Sequence, residues 1–248
     1  MRTGRVIFLC CLFLPFFAGA ACPRLIPDET VSVRHVIDGD TVILDDGRVI
    51  RFIGIDTPEF NKHRKKAVEP GAEQARRWLL NKISEEIRLK LVFGIKRRDD
   101  YGRWLAHPLT ASGHLLAEQM LSLGLGPLLM IPPNHRHWPC LFEAEQAAYR
   151  ARRGIWQRPL PAAPSAGGWQ ALAGRITEVR RRGGDVQLML EHRLRLHAGS
   201  RLPAAALDRL SALQPGQRLL VRGRVYRVRD AWRLRLDHPW QFAGEHKK

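Results

Sequence analysis

The chain has 248 residues, 45% of them hydrophobic, with 41 Lys and Arg against 24 Asp and Glu and a formal net charge of +17. This length suits one large folded domain or two small ones, and the apolar content excludes wholesale disorder. A charge of this sign and size points to polyanionic partners (nucleic acid, anionic headgroups or acidic glycans), although a solvated basic surface would give the same count.

Residues 1–21 read as an export signal. Arg2 and Arg5 precede an apolar run over 6–17, and Ala18-Gly19-Ala20-Ala21 supplies small residues for cleavage. The run is short for a membrane span. An exported protein, periplasmic or secreted, is therefore expected, with a charge of +15 once the two arginines are removed. Cys22 and Cys140 would then remain. They form one disulfide or stay as two thiols, or Cys22 becomes a lipid-modified first residue. The preceding Gly19-Ala20-Ala21 resembles a lipoprotein box except that Gly19 stands where leucine is usual.

Residues 31–55 alternate as a three-stranded meander, with turns at Asp38-Gly39-Asp40-Thr41 and Asp45-Asp46-Gly47. A basic loop carrying Lys62, His63, Arg64, Lys65 and Lys66 follows. Helical spacing appears at 73–83, strand alternation at 87–93 and 104–109, and helical spacing again at 115–123 and 141–153. Residues 157–168 form a Pro/Gly-rich linker. Beyond it, short strands are expected at 174–179, 186–190, 193–197, 217–228 and 232–236, with a helix at 202–213. The organisation read is a signal at 1–21, a first domain over 22–156, the linker, and a basic second domain over 169–248. The fold class is mostly β with helices (α+β), the second domain being a small oligonucleotide/oligosaccharide-binding (OB)-like barrel.

Three segments carry chemistry: Asp38-Gly39-Asp40-Thr41, Arg51 with Asp56-Thr57-Pro58-Glu59, and Asp99-Asp100-Tyr101-Gly102-Arg103. Hydrolysis of a phosphodiester needs hard oxygen ligands for a divalent cation, a base for water and fixed positive charge for the phosphorane. Asp40 and Asp56 on neighbouring strand ends can share one hard cation, for which Ca²⁺ fits by ligand type. Proline after Thr57 fixes the directions in which Asp56 and Glu59 leave the strand. An arginine within an apolar strand, as Arg51 is, is costly unless paired or functional. Each piece alone also reads as a turn or a structural salt bridge, including pairing of the arginines to these same carboxylates.

Taken together and in order, these segments resemble the staphylococcal nuclease (thermonuclease) family over about residues 31–156. The likeness includes the basic loop and the terminal Ile155-Trp156. The resemblance implies an OB-fold five-stranded barrel with three helices and Ca²⁺-dependent hydrolysis of DNA and RNA. By position it makes Asp40, Asp56 and the Thr57 carbonyl the metal ligands, Glu59 the general base, and Arg51 and Arg103 the phosphate-binding residues. Two departures stand out. Leu129 and Ile131 occupy the positions of two nucleotide-holding tyrosines, and Asp100 replaces a lysine.

Residues 165–248 hold fifteen Arg and two Lys against seven acidic residues, a net of +10, which suggests further polyanion contact there. Trp169, Trp232, Trp240 and Tyr226 could stack bases beside Arg222, Arg224, Arg233 and Arg235, with a core position the commoner fate of such tryptophans, Trp232 in particular. His135 and His137 lack the companions of a zinc site. The reading is an exported, monomeric, sugar-non-specific nuclease. The alternatives are a non-catalytic nucleic-acid-binding module on the same barrel and a surface polyanion-binding protein.

Overall fold

Short stretches of alternating apolar residues early in the chain pair into a meander. β1 (Glu29–Val31) and β2 (Val33–Val36) are two pieces of one strand broken at Ser32. β3 (Thr41–Leu44) and β4 (Val49–Phe52) follow antiparallel. The structure, a computed structural model, describes residues 22–60, 68–86 and 88–244. The expected leader and the basic loop residues Lys62, His63, Arg64, Lys65 and Lys66 lie outside the described residues.

After β4 come α1 (Ala72–Glu86), β5 (Leu89–Arg98), β6 (Trp104–Leu109), α2 (Leu116–Ser122) and α3 (Trp138–Arg150). The strand order is β1-β5-β6-β4-β3-β2, with β4 and β6 parallel. Because β1 and β2 are contiguous in the chain, the two ends of this order meet in one bent strand and the sheet curls into a barrel. Ala75 and Leu79, one turn apart on α1, are fully buried with Ile50, Leu91 and Leu109 in one core. Each large aliphatic side chain in it contributes about 1.5–3 kcal/mol on leaving water.

The second barrel repeats this thread with β7 (Gly168–Arg182), β8 (Asp185–Leu190), β9 (Leu194–Ala198), α4 (Ala204–Ser211), β10 (Arg218–Val228), β11 (Ala231–Leu236) and a short β12 (Phe242–Gly244). The order β11-β9-β8-β7-β10 is closed by pairing of β10 with β11, and β9 and β11 run parallel. In both units a three-stranded meander, a helix and two further strands close a barrel whose third and fifth strands are parallel. The chain is thus mostly β with helices, two OB-like barrels in tandem.

Several boundaries differ from expectation, most of all β7, which runs over Gly168–Arg182 against the expected 174–179. β5 continues to Arg98, past residue 93, because Ile95 to Arg98 are exposed and give no alternating apolar signal. α3 begins at Trp138, not 141, since Pro139 falls in the first turn, where its missing N–H costs nothing.

Cys22 and Cys140 are joined by a disulfide across 118 residues, which ties the start of the described chain to α3. With its sulfur in that bond, Cys22 has no thiol free for lipid attachment. The second barrel is docked on the first through Arg222, which is 1% exposed: its Nη1 donates to Glu145 Oε1 at 2.6 Å and its Nη2 lies 2.5 Å from Oε2. Trp240, also buried, joins the first domain's core and packs near Trp138 and His135 while stacking on His238. Arg222 is therefore an interior docking residue, correcting its expected place on a nucleic-acid-facing surface, and Trp240 takes the core position that is the commoner fate of such tryptophans. Burial of an arginine is tolerated only with a partner, and that partner lies on the other barrel. Trp232 is partly buried against the second core.

Candidate active site

The turn between β2 and β3 is built by its own side chains. Asp38 Oδ1 accepts the Asp40 N–H at 3.1 Å, an Asx turn. Gly39 leaves the space that α1 and Thr57 use: a Cβ there would sit 2.6 Å from Ala75 Cβ and 2.8 Å from Thr57 Cγ2. Asp40 is buried and held from three sides. Its Oδ2 accepts the Thr57 N–H at 2.5 Å and the Thr57 hydroxyl at 3.0 Å, and its Oδ1 accepts the Thr41 hydroxyl at 3.0 Å.

Arg51 completes the knot. Its Nε lies 3.2 Å from Asp40 Oδ1, its Nη2 donates to Asp56 Oδ1 at 2.6 Å, and its Nη1 donates to the Phe52 and Ile55 carbonyls, each at 2.8 Å. A guanidinium has five N–H donors. Among the described residues, two donate from Nη1 and one from Nη2 while Nε faces Asp40 as an ion pair, which leaves one N–H on Nη2. The salt-bridge reading of Arg51 is thus realised, to both carboxylates at once. Asp56 keeps a side chain 45% exposed, and its N–H donates to the Pro127 carbonyl at 3.0 Å.

The site is short of positive charge. Burial, then the charge of Asp40, pushes the Asp38 carboxyl up to about 7. Burial likewise raises Asp56, with Asp40 and Glu59 adding to the rise and Arg51 opposing it. Burial alone would lower Arg51, yet Asp40, Asp56, Asp38 and Glu59 together hold it above its ordinary value. Several acids around one arginine suit a hard divalent cation. The family resemblance would assign such an ion to Asp40, Asp56 and the Thr57 carbonyl. Among the described residues no group of three or more His, Cys, Asp or Glu is placed to hold a metal, so such a site would take its other ligands from water and substrate.

Glu59 is exposed, and its charge is felt at Asp38, Asp56 and Arg51. Its backbone is pinned: its N–H donates to Glu69 Oε2 at 3.1 Å and its carbonyl accepts the Glu69 N–H at 3.2 Å. Arg103, at the mouth of β6, donates from Nε to Asp99 Oδ2 at 2.7 Å. β4 and β6 pair with Arg51 opposite Leu105, so Arg103, two residues earlier, shares Arg51's side of the sheet. Asp40, Asp56, Thr57 and Arg51 are thus brought together directly. Glu59 adjoins them electrostatically, and Arg103 waits one strand away on its own carboxylate. The unexpected Asp100 is neutralised locally by Lys96, 2.8 Å away.

One supporting residue leaves no mark in the sequence. Glu145 Oε1, besides pairing with Arg222, accepts the Leu128 N–H at 2.7 Å, one residue from the Pro127 carbonyl on which Asp56 rests. The neighbouring Gly126 packs so closely that a Cβ would lie 2.6 Å from the Asp56 carbonyl oxygen.

The profile of the family described as staphylococcal nuclease homologue matches residues 49–158, which hold Arg51, Asp56, Thr57, Glu59 and Arg103. A thermonuclease of Staphylococcus intermedius is 31% identical over 133 residues, covering 52% of this chain and 77% of that protein. A thermonuclease of Staphylococcus hyicus is 30% identical over 132 residues, covering 52% and 76%. An endonuclease of Bacillus subtilis is 27% identical over 139 residues, 52% of this chain but 11% of that much longer protein. The first barrel is therefore a nuclease-like domain. The chain belongs to the staphylococcal nuclease family, with a basic second barrel added.

Proposed function

We propose that this chain is an exported, Ca²⁺-dependent, monomeric nuclease that hydrolyses phosphodiester bonds of DNA and RNA. The observation that carries the reading is the knot in which Arg51 bridges Asp40 and Asp56, with Thr57 locked on Asp40 and Glu59 three residues beyond Asp56. Its residue types match the demands of the reaction one for one.

Bound by Asp40, Asp56 and the Thr57 carbonyl, Ca²⁺ would supply Lewis-acid neutralisation of a phosphate oxygen. The remaining N–H of Arg51 Nη2 donates to a non-bridging oxygen. Arg103 turns its Nη groups, which have no hydrogen-bond partner among the described residues, to another, so both arginines meet charge that grows in the five-coordinate transition state. Glu59 takes a proton from the attacking water as the new oxygen–phosphorus bond forms and the bond to the departing sugar oxygen breaks. Leu129 and the exposed Ile131 offer a nucleotide apolar contact without a hydroxyl.

Export is supported by the Cys22–Cys140 disulfide, a bond that persists in oxidising compartments. Among the described residues no helix is long and apolar enough to cross a membrane. The reading is tested by DNA and RNA cleavage in Ca²⁺ and after chelation, with Asp40→Asn and Asp56→Asn alongside. Cleavage that persists undiminished in chelator removes the metal role. Binding without cleavage in any divalent cation makes the chain a nucleic-acid-holding module.

A further inference from the structure

The outer face of the second barrel carries a row of cations whose arrangement the nuclease site does not explain. Leu188, Leu196 and Leu234 point into the barrel, so alternate residues of β8, β9 and β11 point out. The strand registers align them into two cross-strand rows. Arg195 lies directly beside Arg233, which in turn faces Tyr226; His197 lies beside Arg235. Between them is an open cleft of about 390 Å³.

Like charges directly opposite each other destabilise a sheet, and an external anion bound between them would relieve that repulsion. Arg195 and Arg233 have no ion pair among the described residues, whereas Arg235 is held by Asp237 at 2.9 Å and Arg180, at the edge of the cleft, by Glu178. Tyr226 is 45% exposed amid these cations, an aromatic ring left in water where packing would bury it. Arg182 in the β7–β8 hairpin is exposed on the same side of its strand as Arg180, whereas Arg181 turns to the Ser211 carbonyl and Arg227 lies over the Trp232 ring.

We propose that this cleft binds single-stranded nucleic acid, with Arg195, Arg233 and Arg235 on successive phosphates and a base stacked on Tyr226. Arg233 and Arg235, two residues apart on one strand, are separated by about 6.6–6.8 Å, a step suited to neighbouring phosphates of an extended chain. The exposed ring favours a nucleic acid over an anionic lipid surface or a heavily sulfated glycan, because a base offers a flat uncharged π-face to the ring and any base does so. The cleft spans one sheet face, which fits one strand. The inference rests on the reading of the chain as a nucleic-acid hydrolase, whose substrate this face would retain.

The test measures binding of the full chain to a fluorescent 12-nucleotide DNA in chelator, so that cleavage is not read. Heparin and a duplex of the same sequence serve as competitors. Arg195→Ala/Arg233→Ala should weaken single-strand binding about ten-fold and reduce the salt slope by about 1.4, near 0.7 for each phosphate no longer neutralised. Tyr226→Ala should weaken it about five-fold with the slope unchanged, while Tyr226→Phe keeps the affinity. Unchanged affinity in both the arginine and the Tyr226→Ala variants overturns the proposal. So does a loss confined to the arginine variant and equal for heparin, which marks a general polyanion face. Cleavage of a short chromogenic phosphodiester reports on the catalytic centre separately. If that activity is absent but Tyr226→Ala and the arginine variant still weaken binding, the hydrolase reading fails and the groove stands.

Discussion

Arg222 on β10 and Glu145 on α3 form an ion pair between the two barrels, 77 residues apart in sequence, with side chains 1% and 0% exposed. The same carboxylate accepts the Leu128 N–H, and Pro127 next to it accepts the N–H of Asp56. The second barrel is thereby joined by a short run of hydrogen bonds to the loop beneath a proposed metal ligand. Removing one partner of a buried pair leaves a bare charge and costs about 3–5 kcal/mol. Arg222→Ala should lower stability by that amount in urea unfolding. The double replacement Arg222→Met/Glu145→Leu should cost less than either single change, since no charge is stranded. Additive effects of the two changes would show that the pair is not coupled.

The disulfide closes a loop of 118 residues, and cross-links of that span typically stabilise by about 3–5 kcal/mol through the unfolded state. Cys22→Ser/Cys140→Ser should lower the Tm of the non-reduced protein by several degrees. Adding reductant should bring the parent chain down to the same Tm. A variant that melts with the oxidised parent would mean that the bond does not form in solution.

His107 on β6 is buried, with Nδ1 unpartnered among the described residues and its ring 5.2 Å from that of His137. Burial, then the neighbouring His137, lowers its pKa to about 3. The sign follows: the folded chain holds this imidazole neutral while the unfolded chain protonates it near 6.5. Its contribution is therefore complete above about pH 6.5 and is lost as pH falls towards 3. His137 and His238 are lowered by burial as well and act in the same direction. Tm measured at pH 8, 6 and 4 should fall less steeply for His107→Leu than for the parent. Parallel pH profiles would contradict a buried neutral His107.

The turn at Asp38-Gly39-Asp40 has no room for a larger residue. Gly39→Ala should push Thr57 away from Asp40 and cut cleavage at least ten-fold, with a smaller loss of Tm. Near-parental activity would show that the contact of Thr57 with Asp40 is not needed.

The barrel and the residues of the knot are legible in the sequence because they lie in local motifs. Asp38-Gly39-Asp40 is a turn signal between alternating strands, and Arg51 stands out as a cation in an apolar strand. Its cost requires a partner, and the partners prove to be the nearby Asp40 and Asp56. The interior place of Arg222 is hidden for the opposite reason. On a strand that reads Val221-Arg222-Gly223-Arg224-Val225 nothing local separates the buried Arg222 from the exposed Arg224. Only the docking of α3 decides, and Glu145 shows no pattern that announces it. The β5 extension to Arg98 is hidden likewise, because a strand exposed on both faces has no period to read.

The central claim is that Glu59 activates water in a phosphodiester hydrolase. Its most direct test compares the parent chain and Glu59→Ala for cleavage of labelled DNA in Ca²⁺ and for DNA affinity. Removal of a general base should lower the cleavage rate by about 10²–10⁴-fold while affinity changes little. An equally active Glu59→Ala variant, or a parent chain that cuts neither DNA nor RNA, would contradict the account.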